Sequence, residues 1–565
     1  METKTTKTVS SLYEHIKIAA DDFGERTLFA FERCGTDYEI SYSEFYNYVC
    51  SVAKAMIRLG LDKKRVVLVG ENCVEWIATY LATVITGGVI VPIDVMLAKE
   101  QLQSFVKEAD GEVLVYSNSW AEHIEQNADK MTGVSNFIRL TDDAFDTVSE
   151  CECELQRFMR VSQLAHMGNA IDDIDIPEQN TEVMSTLLFT SGTTGSSKGV
   201  MLSQTNICTV INSACKILYH INENDVLLSV LPVHHTYEMS AGILAPMYFG
   251  CKICINDSIK HVSKNLKKYQ PTVMTLVPLF VEQFYNNILR NVKKQGIEKT
   301  FNRALKVSKL AGKARLELGD LLFSKIKQAF GGRIRYLICG GAALRPELVD
   351  TFRAIGIHIS QGYGITECAP LISVVPLNVY NPRSCGKLVD SLQIFIDKEN
   401  PEDEYGEIVV KGKNVMLGYY KNEKATREVL SKGWFYTGDY GYIDKNKYLY
   451  ITGRKKNVIV LQDGKNVFPE ELEEYLGAID LIKECVVVGR EKDNDLSITA
   501  LIYPDADHAQ SIGLSASGEI HEAIRAEINQ INKKLVGYKR IAAVEFRTEP
   551  FEKTTTQKIK RFAVK

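Results

Sequence analysis

A chain of 565 residues, 45% of them apolar, carries 67 lysines and arginines against 71 aspartates and glutamates, a net charge of −4. Its length exceeds what one hydrophobic core supports, so several domains are expected. The near-balance of charge gives no reason to expect a nucleic-acid partner, and the polar start Met1-Glu2-Thr3-Lys4-Thr5 lacks the apolar run of a secretory signal.

Residues 11–60 read as two helices around a short strand pair, Leu28 to Phe31 and Tyr38 to Ser41. The continuous apolar run Arg65 to Gly70 predicts a buried strand, Glu75 to Thr86 a helix, and Gly88 to Pro92 a second strand. Strand, helix and strand at that spacing make a right-handed parallel unit. Val113 to Tyr116 and Asn136 to Leu140 continue it, so the N-terminal part is expected to be α/β with parallel sheets. The most apolar window, Tyr80 to Leu97, is broken by Gly87, Gly88, Pro92 and Asp94, and reads as a buried helix and strand rather than a membrane span. Thirteen cysteines in apolar contexts, Cys339 and Cys485 among them, read as reduced core thiols of a cytoplasmic protein. Cys251 and Cys254 have metal or redox spacing, but no second pair lies near, so the spacing is read as chance.

At Leu187-Leu188-Phe189 an apolar run ends in Thr190-Ser191-Gly192-Thr193-Thr194-Gly195-Ser196-Ser197-Lys198-Gly199. The glycines let the main chain approach a ligand closely. The hydroxyls and the Lys198 ammonium surround one small volume with donors, which makes a cradle for phosphate oxygens. A Walker loop needs Gly-Lys followed by Ser or Thr, whereas Lys198 follows Ser197 and precedes Gly199. No Gly-x-Gly-x-x-Gly occurs in the stretch, so a dinucleotide fingerprint fails as well.

A helix is expected from Thr205 to Tyr219 and a strand from Val226 to Leu231, followed by Pro232-Val233-His234-His235-Thr236-Tyr237-Glu238. Residues 290–315 hold nine lysines and arginines against one acid, Glu298, with Phe301, Leu305 and Leu310 near helical spacing. That reads as a solvated basic helix face, with a patch for anionic lipid or an acidic carrier protein as the sharper alternative. Strand Ile334 to Cys339 leads into Gly340-Gly341-Ala342-Ala343, whose small side chains leave room for a flat ring. Strand Ile357 to Ser360 leads into Gln361-Gly362-Tyr363-Gly364-Ile365-Thr366-Glu367. Further on come Val415 to Tyr420 with Thr426, then Trp434 to Asp439, then Thr452-Gly453-Arg454-Lys455-Lys456-Asn457. There sheet-like alternation stops and charge rises, which places a boundary between residues 1–455 and 456–565. The second part has a helix opened by Pro469, strands Cys485 to Gly489 and Thr499 to Tyr503, and a helix Glu519 to Leu535: a small α+β domain.

In this order these motifs resemble, over nearly the whole chain, the adenylate-forming enzymes: acyl- and aryl-CoA synthetases, luciferases and peptide-synthetase adenylation domains. The resemblance implies ATP, Mg²⁺ and coenzyme A as cofactors. It assigns Thr190, Ser191, Gly192, Thr193, Thr194, Gly195 and Lys198 to the triphosphate, and Gly341, Ala342 and Ala343 to one adenine face. Gly362, Tyr363 and Gly364 fall to the other face, Thr366 to the α-phosphate, Glu367 to Mg²⁺, and Asp439 and Arg454 to the ribose. His235 aligns with a residue near the reacting carboxylate, Val415 to Tyr420 with a mainly structural pattern, and Lys456 with the hinge of a mobile lid. Members usually end Lys-Thr-x-x-Gly-Lys-Ile-x-Arg, which makes Lys558 the catalytic lysine, although Gln557 stands where glycine is usual.

The implied reaction is attack of a carboxylate on ATP to give acyl-AMP and pyrophosphate, then thioester formation with coenzyme A. The His-His loop and the basic segment look most like long-chain fatty acid members, some of which carry a gating tryptophan where Met239 stands. The expected partners are a fatty acid and coenzyme A in the cytoplasm, with an acyl carrier protein as alternative acceptor and peripheral contact at the inner membrane face through 290–315. An amino-acid adenylation domain and a non-catalytic nucleotide-binding regulator are the remaining alternatives. The second would lose Lys558 or Glu367, and both are present.

Overall fold

The computed structural model describes residues 7–140, 157–190, 197–313, 318–461, 465–492, 495–553 and 559–564. Residues 191–196 and 554–558, and with them Ser191, Gly192, Thr193, Thr194, Gly195 and Lys558, lie outside the described residues.

Two large sheets carry the N-terminal part. One has eight strands in the spatial order 418–419, 198–203, 184–190, 89–93, 65–69, 113–116, 136–139, 158–160. The other has nine, in the order 387–388, 371–374, 358–364, 336–339, 273–276, 226–229, 252–255, 27–33, 36–41. The middle of each is parallel, as strands buried on both faces and joined by crossover helices should be.

Helices Leu12–Phe23, Tyr42–Arg58 and Val74–Ile85 share one core with residues of both sheets, from Leu28, Phe29 and Ile253 on one side to Val66, Leu68 and Val113 on the other. Every residue of Val74–Ile85 is buried. A helix so largely apolar belongs in such a place, its one charge, Glu75, being paired with Arg33 at 2.7 Å, and each fully buried Leu or Ile contributes roughly 1.5–3 kcal/mol. The apolar window at residue 80 is therefore core. Among the described residues no helix is long and apolar enough to cross a membrane. Cys251 and Cys254 are buried free thiols, while Cys34 departs from the expectation of core thiols by being exposed.

The ends of the parallel sheets turn antiparallel. Met184–Thr190 and Lys198–Ser203 form a hairpin, and His358–Gly364 is followed by antiparallel Leu371–Val374. A third, antiparallel sheet, of strands 392–397, 406–412, 434–443, 430–431 and 449–454, was not expected. Strands 430–431, 434–443 and 449–454 follow one another through short reversals, which permit only antiparallel neighbours, whereas 406–412 meets 434–443 across the segment that holds Gly418–Tyr419 and the helix Glu423–Val429.

Residues from 459 on form their own core under the sheet 482–492, 495–504, 543–546 and the helices Pro469–Leu476 and Ser517–Lys534.

Candidate functional site

The carboxyl ends of both parallel sheets lie against one another, and the crevice at that end is the usual ligand site of open α/β sheets. Asn72, beyond the strand Arg65–Val69, ties them together. Its amide donates to the Leu231 carbonyl (2.7 Å), and its carbonyl accepts from the Val233 amide (3.0 Å). The His-His loop of one sheet is thereby fixed by the other.

At one end stands the hairpin of Met184–Thr190 and Lys198–Ser203. Thr190 and Lys198 are opposite one another in register, and the Thr190 hydroxyl donates to the Lys198 carbonyl at 3.4 Å. Strand Gly418–Tyr419 pairs with the hairpin's outer strand, Tyr419 opposite Val200. The Lys198 ammonium lies 4.6 Å from the centre of the Tyr419 ring, and the Tyr419 hydroxyl donates to the Glu367 carboxylate at 2.9 Å. The Met416 amide also donates to the Glu367 carbonyl (2.8 Å). A segment read as structural thus joins a cation to a carboxylate. Sequence reasoning missed Tyr419, and its only signal was its place in the third motif.

Beside this trio lies a second. The Tyr363 hydroxyl donates to Asp439 Oδ2 (2.7 Å), and Arg454 Nε meets Asp439 Oδ1 (2.9 Å). Asp439 and Arg454 are opposite one another on antiparallel strands, which fixes that pair by register. Asp439 is 3% exposed, so its charge depends on these partners. The Asp439 carboxylate raises the Arg454 pKa, and burial pushes the Tyr363 phenol well up. Glu367 also acts electrostatically on Arg454, so the two trios are neighbours.

Small residues line the next stretch. Gly341 has φ +89°, which favours glycine, and it is exposed with Ala342 and Ala343. Tyr237 covers Gly340 from below, its hydroxyl shared between the Leu276 and Ile338 carbonyls (3.2 and 2.9 Å). Gly364 has a protein reason: a Cβ there would lie 2.0 Å from the Pro370 carbonyl oxygen. Thr366 sits in the single turn Thr366–Cys368 with Glu367, half-buried.

The His234 and His235 rings are 4.1 Å apart. His234 is buried, 3.8 Å from Asp94, and burial lowers its pKa to about 4, so its ring is neutral at pH 7. Directly after the loop, Glu238 opens a π-helix, Glu238–Leu244, that places Met239 in the apolar core. Such a local widening often marks functional ground. The fully buried Glu238 carboxyl receives the Ser229 and Thr275 hydroxyls at 2.5 and 2.6 Å, and a Cβ on Gly242 would lie 2.5 Å from it. Burial raises its pKa to about 7. The folded state then binds the proton more tightly than the unfolded one. Stability is full below the ordinary carboxylate range and falls as pH rises to about 7. Glu238→Gln keeps an acceptor for the hydroxyls and cannot ionise. It is expected to remove this slope, worth roughly 3 kcal/mol or less, so that thermal midpoints of variant and parent diverge between pH 5 and 7. Parallel midpoints over that range would refute it.

The end of the chain approaches the same rim. Lys553 pairs with Glu484 (2.6 Å) and bridges to Ile559, so the two residues that bracket 554–558 are paired. Lys553 also pulls on Glu282, whose carboxyl faces Arg345 at 3.5 Å, just past Ala343, although burial prevails and raises the Glu282 pKa. Arg561 is held by Glu473.

Residues 16–420 match the AMP-binding enzyme family, and residues 456–565 match the AMP-binding enzyme C-terminal domain. The long-chain-fatty-acid–CoA ligase FadD15 of Mycobacterium bovis is 29% identical over 606 aligned positions, 98% of this chain and 95% of that protein. The peroxisomal long chain acyl-CoA synthetase 6 of Arabidopsis thaliana is 31% identical over 437, covering 71% of this chain and 62% of its own. The anthranilate CoA ligase AuaEII in complex with anthranoyl-AMP shares the fold, with a TM-score of 0.76 at 18% identity over 100% of this chain and 98% of that one. Matched by family over most of its length, this chain belongs to the AMP-binding enzymes.

Proposed function

We propose that this chain, an adenylate-forming acid–thiol ligase by family, activates a fatty acid with ATP and transfers it to coenzyme A. The observation that carries the reading is that Lys198, Tyr419 and Glu367 lie beside Tyr363, Asp439 and Arg454. Together they offer a cation and a carboxylate at one end and a buried carboxylate for ribose hydroxyls at the other.

In the first step a carboxylate oxygen attacks the α-phosphorus of ATP, the bond to the β-phosphate oxygen breaks, and pyrophosphate leaves. Both reactants are anions, so the site has to supply positive charge and alignment. Thr190 and Lys198 serve the leaving phosphates, Thr366 an α-phosphate oxygen, and His235 the incoming carboxylate. Gly341 to Ala343 and Gly362 to Gly364 bound the adenine. Glu367 would hold Mg²⁺, which supplies charge to the phosphates when bound. Among the described residues no three metal-ligating side chains cluster. A single carboxylate completed by substrate oxygens and water suits that ion. In the second step the thiol sulfur of coenzyme A attacks the acyl carbon and AMP leaves.

For the acid itself, support comes from two relatives named for long-chain substrates and from the apolar surroundings of Met239. The test is a matrix of ATP–pyrophosphate exchange and thioester formation. Straight-chain acids from short to long would be offered with coenzyme A or a phosphopantetheinyl carrier protein as acceptor. Rising turnover with chain length and preference for coenzyme A are expected. Exchange only with aromatic or amino acids would overturn the substrate reading, and transfer only to the carrier would overturn the acceptor.

A further inference from the structure

On helix Glu298–Lys313 the inward side is set by Phe301 and Ser308, both buried, the second donating to the Ala354 carbonyl at 2.7 Å. Opposite it, Lys299, Arg303, Lys306 and Leu310 follow one another at intervals of four, three and four residues, which is one stripe of a helix. Val307 stands beside that stripe, 51% exposed, and Leu310 is 65% exposed. Ile297 precedes the helix, and Leu321 (78% exposed) and Leu322 follow it on the helix Gly319–Leu322, which packs against it. From 290 to 309 the described basic residues are Arg290, Lys293, Lys294, Lys299, Arg303, Lys306 and Lys309, all exposed, against one acid, Glu298. None of Lys299, Arg303, Lys306 and Lys309 forms an ion pair with another described residue, and the nearby Asp320 is taken by Lys327.

We propose that this side of the molecule, the stripe Lys299-Arg303-Lys306-Leu310 with Val307 and Leu321, is a landing surface for an anionic lipid bilayer. A merely solvated basic helix has no use for bare leucines. Scattered single apolar side chains are ordinary on surfaces, but here Val307 and Leu310 stand among unpaired cations on one side of the helix, and Leu321 adjoins them on the next. Cations that meet lipid phosphates while aliphatic tips enter the acyl boundary are the chemistry of an interfacial helix. Each cation near an anionic leaflet adds attraction that fades within a Debye length. An acidic protein would satisfy the cations and leave the leucines without a purpose. The surface is remote from the chemistry. Helix Pro278–Lys294 has Glu282 at the rim of the crevice and Lys294 twelve residues on, about 18 Å at a helical rise. The inference rests on surface residues alone and holds whichever acid is the substrate.

Sedimentation of the full chain with vesicles decides it. Phosphatidylcholine vesicles would be compared with vesicles of equal parts phosphatidylcholine and phosphatidylglycerol. Binding is expected to be at least tenfold tighter to the anionic vesicles and to weaken with salt. The double reversal Lys299→Glu, Lys306→Glu should lower that binding about tenfold or more. Leu310→Asp should lower it as well, and neither variant should change ATP–pyrophosphate exchange with a soluble acid. Equal binding of the parent to both vesicles overturns the proposal, as does anionic binding that the charge reversal leaves intact. Capture of an acidic carrier protein without vesicle binding, abolished by the same reversal, would assign the surface to a protein instead.

Discussion

Replacing Lys558 by alanine is expected to cut acyl-adenylate formation about a hundred- to a thousandfold, while a synthetic acyl-adenylate is still converted to thioester at close to the parent rate. The first half-reaction brings a carboxylate to a polyphosphate, and negative charge gathers on the α-phosphate as the bond forms. An ammonium between the two offsets that charge, and a lysine does so as a mobile point charge. The second half-reaction starts from a mixed anhydride and has no such need. Lys558 itself lies outside the described residues, but its neighbours Lys553 and Ile559 are paired, and Lys553 acts on Glu282 at the rim. ATP–pyrophosphate exchange measures the first step, and thiolation of supplied acyl-adenylate the second. Equal loss of both would remove Lys558 from the role proposed for it.

The second large effect concerns Lys456. Arg454 and Lys455 are tied to Asp439 (2.9 Å) and Glu407 (2.6 Å) in the third sheet. Asn457 donates to Glu470 at 2.5 Å on the first helix of the C-terminal part. Lys456 stands between residues held by the third sheet and one held by the helix Pro469–Leu476, in the single turn Lys455–Asn457. Proline fits the helical φ of that turn but holds it there and restricts the residue before it. Lys456→Pro is therefore expected to leave pyrophosphate exchange within about twofold and to slow thioester formation by a hundredfold or more, on the order of 3 kcal/mol in barrier. The expectation rests on the proposal that the C-terminal part turns about Lys456 between the two steps, which would gate the second without speeding the bond-making itself. Normal thioester formation in this variant would place the pivot elsewhere.

Much of this architecture was legible because its strands are buried on both sides and read as unbroken apolar runs. Arg65–Val69, Val89–Ile93 and Val113–Tyr116 fall where periodicity puts them. The glycine- and hydroxyl-rich bend was legible because such a composition cannot be core. The third sheet was not, because half-exposed antiparallel strands such as Leu392–Asp397 alternate only weakly with polar residues. Tyr419 and Glu238 were hidden for another reason: their meaning depends on partners far away in sequence. A phenol in Val415 to Tyr420 says nothing until register brings it to Val200, and a glutamate after two histidines looks solvated until Ser229 and Thr275 enclose it.

The pairing of Gly418–Tyr419 with the strand that holds Lys198 also bears on the order in which a ribosome releases a working protein. Residues 221 positions apart have to meet before Lys198, Tyr419 and Glu367 form a set. Contacts of such long sequence separation form late and slowly. A nascent chain can complete Arg65–Val69, Val89–Ile93 and Val113–Tyr116 early, and yet lack the joined Lys198, Tyr419 and Glu367 until residue 419 has cleared the exit tunnel. The strand that completes the set is thus among the last parts of the N-terminal region to be made, and the set exists only in a chain finished beyond residue 419.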